Sequence, residues 1–173
     1  TAGRADAIPA LAELFRERGF AGASLAEITA RTGLGKSSLY HFFPGGKDEM
    51  ARAVLDDVAA WFEREVFAPL RDWDDAGAGL DHMFEAVAAF FRSGRRVCLV
   101  GTFALDDTRE RFALELQSYF TAWTETLGAN LGRLSFTRQV ARQTAEEVVA
   151  GIQGALVLAR AQQDPAVFTR ALR

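Results

Sequence analysis

Apolar residues recur along this chain at three- and four-residue intervals, and no apolar–polar alternation persists long enough to suggest a strand. Ile8, Leu11, Leu14 and Phe15 fall on one face of a helix predicted over residues 4–18, with Gly19 as its cap. Two short helical segments follow. A longer pattern then runs through Met50, Val54, Leu55, Val58, Trp61, Phe62 and Val66, which predicts a helix over residues 47–70. The polar, turn-rich stretch 71–79 interrupts it. Further helices are predicted over 80–92, 98–105, 108–131 and 137–162, with a short tail helix from Pro165. The pattern predicts an all-α chain.

The punctuation between residues 19 and 50 is the densest in the sequence. Ser24 and Glu27 form the S-x-x-E capping box that opens a short helix. Gly33 stands where that helix must stop, Leu34-Gly35 makes a tight turn, and a second short helix runs over 36–43 until Pro44-Gly45-Gly46. Two helices joined by a short glycine-bearing turn have the geometry that places the second one in the DNA major groove. Lys36, Ser37 and Ser38 occupy its first turn, where side chains reach bases and phosphates, while Tyr40 and His41 follow on the outward side. Leu25, Ile28, Leu34, Leu39 and Phe43 have the spacing to face inward. An ordinary helical hairpin whose serines and lysine are merely solvated is the alternative reading of the same residues.

The order Gly19-Phe20, Ser24-Leu25-x-x-Ile28, Gly33-Leu34-x-Lys36-x-x-Leu39-Tyr40-x-x-Phe43 and Lys47 resembles the N-terminal domain of TetR-family transcriptional regulators. The run Phe43-Pro44-Gly45-Gly46-Lys47 is similar to multidrug-type repressors related to LmrA and YxaF. The resemblance implies an N-terminal three-helix helix-turn-helix DNA-binding domain at residues 1–46, followed by a larger helical ligand-binding and dimerisation domain at 47–173. It also implies DNA contacts from Ser24, Lys36, Ser37, Ser38, Tyr40, His41 and Lys47. One position departs from the family pattern: Phe42 stands where the family usually carries a histidine that contacts phosphate.

Charge modifies the picture. The 173 residues carry a net charge of −3, yet the first 52 hold seven Lys and Arg against six Asp and Glu. The acidic surplus therefore lies outside the helix-turn-helix. Such a weakly basic head favours a reader of two half-sites over a polybasic DNA coater. No apolar run approaches the length of a membrane span, and the single cysteine, Cys98, excludes an intramolecular disulfide framework. A cytoplasmic protein that engages no membrane is expected.

The remaining chemistry is sparse. His41, His82 and Cys98 have no metal-ligand spacing, and no phosphate-binding loop, nucleophile elbow or dinucleotide fingerprint appears. No metal, no cofactor and no enzymatic activity are expected. Cys98 follows Arg95 and Arg96, which suits an oxidation sensor, although packing is the plainer role for a lone cysteine in an apolar run.

Residues beyond 60 are rich in aromatics. Trp61, Phe62, Phe84, Phe91, Phe103, Phe120 and Trp123 are candidate linings for a small-molecule pocket, although plain core is the simpler role for aromatics at helical spacing. Small residues along 137–162, among them Ala145, Ala150, Gly151, Gly154 and Ala159, suit close helix packing. With helix 108–131, that segment suits half of a four-helix dimer interface, as the last two long helices form in the family; an intrachain bundle is the alternative. The expected function is a homodimeric transcriptional repressor, released from a palindromic double-stranded DNA operator by a small apolar or aromatic effector. A helical protein-interaction module of the same fold that no longer binds DNA is the rival.

Overall fold

The computed structural model describes residues 3–173. These residues form helices α1 (Arg4–Gly22), α2 (Leu25–Thr32), α3 (Lys36–Phe42), α4 (Gly46–Phe62), α5 (Ala68–Asp72), α6 (Ala76–Phe90), α7 (Leu99–Leu105), α8 (Ala113–Arg133), α9 (Arg138–Ala161) and α10 (Ala166–Ala171). A π-helical turn, Glu63–Phe67, joins α4 to α5, and a 3-10 turn, Arg92–Gly94, follows α6. No strand occurs among the described residues.

Two compact units emerge. The first holds the residues through Ala59 together with Leu99–Leu116; the second holds Ala60–Cys98 and Gln117–Arg173.

In the first unit, Leu11, Leu14, Phe15, Ile28, Leu39, Phe43, Met50 and Val54 are all buried. Burial of these side chains is what stabilises helices as short as α2 and α3, which would not persist alone in water. α1 breaks its helical geometry at Gly19 (φ 68) and then continues to Gly22, four residues beyond the predicted end. The extra turn swings Phe20 inward, where it stacks on Phe15 at 6.1 Å and meets Phe112 edge-on at 5.3 Å. Phe103 and Phe112 complete this cluster at 5.6 Å from one another. Charged side chains fasten the same segment: Arg111 donates to Asp48 at 2.8 Å and Arg52 to Glu115 at 3.1 Å.

α8 starts five residues later than the periodicity suggests. Asp106 accepts from the Thr108 amide at 2.6 Å and also engages its hydroxyl, so the chain turns through 106–112 before a helix can propagate. α6, by contrast, begins four residues earlier than expected, at Ala76, because Asp75 caps it by accepting from the Ala78 amide at 3.0 Å.

The second unit is built on Phe62, Val66, Leu70, Met83, Val87, Phe91, Trp123, Leu127, Ala145, Ile152 and Phe168, all buried. Polar side chains tie off its helix ends. Asn130, 1% exposed, donates through Nδ2 to Leu70 O at 2.9 Å and to Ala76 O at 3.1 Å. Arg133 donates to the carbonyls of Leu70 and Arg71, each at 3.3 Å, and to that of Asp74 at 2.9 Å. Carbonyls left without partners where a helix ends are costly, so these two side chains hold the α5–α6 junction against α8.

Candidate nucleic-acid interface

The capping box predicted for α2 forms in full. The Glu27 amide donates to Ser24 Oγ at 3.2 Å, and the Ser24 amide donates back to Glu27 Oε2 at 3.1 Å. These hydrogen bonds from the Ser24 backbone and hydroxyl hold the Glu27 carboxyl below its ordinary pKa, with Arg18 and Arg31 adding to the effect. Gly33 (φ 69) ends the helix in the left-handed conformation, its amide donating to Thr29 O at 3.0 Å. α3 begins directly after Gly35 and is held by Leu39 and Phe43, both fully buried; Leu34 and Ile28 are buried beneath it, and Leu25 is half-buried.

With that face anchored, the opposite face of α3 is open. Lys36, Ser37, Ser38, Tyr40 and His41 are all exposed, Tyr40 at 44%. Five side chains that donate hydrogen bonds thus stand on one short helix, a set suited to phosphate oxygens and base edges alike. Tyr40 also borders Gly46, where a Cβ would lie 3.7 Å from the tyrosine ring.

Two of the seven predicted DNA contacts sit differently. Ser24 is exposed at the start of α2, but its Oγ lies 3.0 Å from Glu27 Oε2. An ionised carboxylate only accepts, so the serine proton is directed at Glu27. Lys47 is half-buried, and its Nζ donates to Phe20 O at 2.8 Å and to Ala23 O at 3.2 Å while lying 4.5 Å from the centre of the Phe20 ring. Arg4, outside the helix-turn-helix motif, donates through Nε to Phe42 O at 3.2 Å and stacks over Phe43 at 4.9 Å. Nothing in the local pattern around Arg4 marks it, since its partners lie about forty residues away.

Residues 8–54 match the model for bacterial regulatory proteins of the tetR family, and residues 76–173 match the LmrA/YxaF-like C-terminal domain of transcriptional regulators. The chain belongs to the TetR family. Within it, this TetR-family chain is 21% identical over 155 residues to the HTH-type transcriptional regulator LmrA of Bacillus subtilis, covering 87% of this chain and 82% of the relative. It is 23% identical to the uncharacterised regulator YxaF of the same organism, over 87% and 81% of the two chains. In fold, it is similar to a TetR transcriptional regulator from Legionella pneumophila, with a TM-score of 0.84, 17% identity and coverage of 99% and 94%. A TetR-family regulator from Agrobacterium tumefaciens gives a TM-score of 0.83 at 22% identity, over 98% and 93%.

The aromatic candidates in the TetR-family chain separate into groups. Phe62 is central in the second unit, 5.1 Å from Trp123, 5.2 Å from Trp61 and 6.4 Å from Phe91. Phe120 joins through Tyr119 at 5.0 Å. Phe62, Phe91 and Trp123 are fully buried, whereas Trp61 and Phe120 are half-buried. Trp123 Nε1 is buried without an acceptor in this cluster. Phe84 lies apart, in a groove shared with Val148, Ile152 and Leu172. Phe103 belongs to the first unit, where it packs on Phe15 and Phe20 at 6.0 and 6.3 Å.

Cys98 is buried at the end of the loop before α7. No group of His, Cys, Asp and Glu among the described residues has the arrangement to hold a metal ion, and no helix among them is long and apolar enough to cross a membrane.

Proposed function

We propose that this TetR-family regulator is a cytoplasmic homodimeric repressor that leaves a palindromic operator when a small apolar or aromatic effector binds. In this reading residues 1–46 are the DNA-binding head, and 47–173 carry ligand binding and dimerisation. The carrying observation is the single-sided anchoring of α3: Leu39 and Phe43 are fully buried, while Lys36, Ser37, Ser38, Tyr40 and His41 face solvent. Two such helices about 34–36 Å apart match successive major grooves on one side of B-DNA.

A second surface supplies the pairing. On α9, Val140, Val157 and Leu158 are 47%, 59% and 49% exposed, and the positions where Gly151 and Gly154 would carry a Cβ are open. Near Val140, a groove of about 840 Å³ between α8 and α9 is lined by Gly128, Ala129, Gly132, Phe136 and Ala141, with Glu125, Arg138, Arg142 and Glu146 among its polar residues. Apolar and small residues on two long neighbouring helices suit close packing of helices from a second copy. The effector site is proposed at the cluster around Phe62 and Trp123, where Trp61 and Phe120 reach its edge. The effect of an effector there is bounded by its differential affinity for the DNA-competent and DNA-released states.

The test is a binding titration with competitor DNA on a duplex selected by the wild-type chain from a random-sequence pool. Ser37→Ala and Tyr40→Ala are each expected to weaken binding to that duplex tenfold or more. Wild-type affinity in both variants would remove α3 as the reading helix.

A further inference from the structure

The segment from Ser24 to Gly46 carries α2, the turn and α3, and a basic side chain from elsewhere in the first unit closes each of its ends. At one end, Lys47 donates to the Ala23 carbonyl at 3.2 Å and the Phe20 carbonyl at 2.8 Å. Both acceptors belong to the C-terminal end of α1, where unpaired carbonyls and the negative end of the helix dipole favour a cation. The Phe20 ring beneath, 4.5 Å away, adds a third favourable contact. At the other end, Arg4 from the first turn of α1 donates to Phe42 O, the last carbonyl of α3, and stacks on Phe43. Its guanidinium also pairs with Glu49 at 3.5 Å, and Glu49 in turn accepts from the Gly45 amide at 2.7 Å. The chain entering the reader and the chain leaving it are therefore both fastened to α1.

We propose that Lys47 and Arg4 are positioning residues for α3, fixing its angle by closing the helix-turn-helix segment at both ends, and that neither spends its charge on DNA phosphate. Both roles rest on α3 being the base-reading helix. Two of the three lysine donors are already committed to main-chain oxygens, and moving the ammonium onto a phosphate would leave both half-buried carbonyls unpaired. Arg4 is likewise committed to a carbonyl, a ring and a carboxylate. Loosening either end changes where Lys36, Ser37 and Tyr40 stand, so base discrimination is lost before general affinity for DNA.

Specific and general affinity are separable by experiment. The full chain is titrated against the duplex selected by the wild type and against a scrambled duplex of the same composition, over a range of salt concentrations and well below the unfolding temperature. Lys47→Met keeps the aliphatic stem over Phe20 and deletes the donors; Arg4→Met does the same at the other end. Each is expected to lose at least tenfold on the selected duplex and nothing on the scrambled one, with an unchanged salt slope there. Lys47→Arg, which retains cation and donors, is expected to recover most of the loss. Equal losses on both duplexes, with the salt slope smaller by about 0.9 per protomer, would make the residue a phosphate contact and overturn the proposal. Wild-type affinity on both duplexes would overturn it too. Should Lys47→Met fail to fold, Lys47→Gln carries the same comparison. A wild-type chain that selects no sequence would instead overturn the reading of α3, and with it this proposal.

Discussion

Replacing Gly94 with alanine asks an L-residue to hold φ +89 and places a Cβ 2.7 Å from the Cβ of Phe168 and 2.9 Å from the carbonyl oxygen of Pro165. Neither neighbour is the movable end of a long side chain, so the tail carrying α10 must shift. The left-handed backbone costs about 1–2 kcal/mol for a residue with a Cβ. Overpacking a filled site costs about 1–3 kcal/mol more. The total of about 2–5 kcal/mol lowers the unfolding temperature by about 2–4 °C for each kcal/mol in a chain of this length. Two other glycines separate the contributions. Gly33 has φ +69 with nothing within 4 Å of a built Cβ, so Gly33→Ala isolates the backbone cost of about 1–2 kcal/mol. At Gly79, within α6, a Cβ would lie 2.9 Å from Pro69 O with no left-handed backbone, so Gly79→Ala isolates crowding. Helix propensity returns about 1 kcal/mol there, which leaves a net cost of about 0–2 kcal/mol. Urea unfolding supplies the assay, and Trp61, Trp73 and Trp123 all report on the second unit, which contains Gly79 and Gly94. Gly33→Ala is followed by far-ultraviolet circular dichroism, and equal denaturant slopes are required for comparison. A Gly94→Ala variant costing no more than Gly33→Ala would refute the reasoning, because it would show that the Pro165–Phe168 tail yields freely.

If the proposed pairing through α9 holds, Val157→Glu, which places a charge on its open face, converts a wild-type dimer to monomer in sedimentation velocity, with loss of binding to a two-half-site duplex; a wild-type monomer, or an unchanged dimer mass in the variant, would refute that pairing. The Glu27 carboxyl is held below its ordinary pKa by its hydrogen bonds with Ser24. A carboxyl with a depressed folded pKa contributes stability that is fully present above its unfolded value and lost as pH falls through the folded one. Wild-type stability is therefore expected to fall more steeply below about pH 4.5 than that of Glu27→Gln, which keeps an acceptor for the Ser24 amide but does not titrate. Parallel acid limbs for the two proteins in urea titrations would contradict that assignment.

What the sequence shows of this molecule is what the chain decides over a few residues. Ser24 with Glu27, and Gly33 with Thr29, are neighbours that meet within one helical turn, so α2 and the turn after it can be read directly from spacing. The exposed face of α3 follows from the same local logic once Leu39 and Phe43 are seen to be four residues apart and apolar. The rest depends on partners that are distant in the chain. Phe103 and Trp123 are both aromatic residues on helices, and periodicity treats them alike; packing sends one to Phe15 and Phe20 and the other to Phe62. Lys47 presents the same difficulty for function. Its position beside a helix-turn-helix, at the first turn of a helix, suggests a phosphate ligand, although Asp48 and Glu49 follow it directly. The carbonyls of Phe20 and Ala23 that engage it are invisible until α1 and α4 are brought together. The Ser24 hydroxyl, by contrast, is engaged locally, donating to Glu27 three residues on in the same capping box. Local sequence thus reveals which side chains carry donors and acceptors, whereas main-chain partners twenty or more residues away, such as those of Lys47, emerge only with the fold.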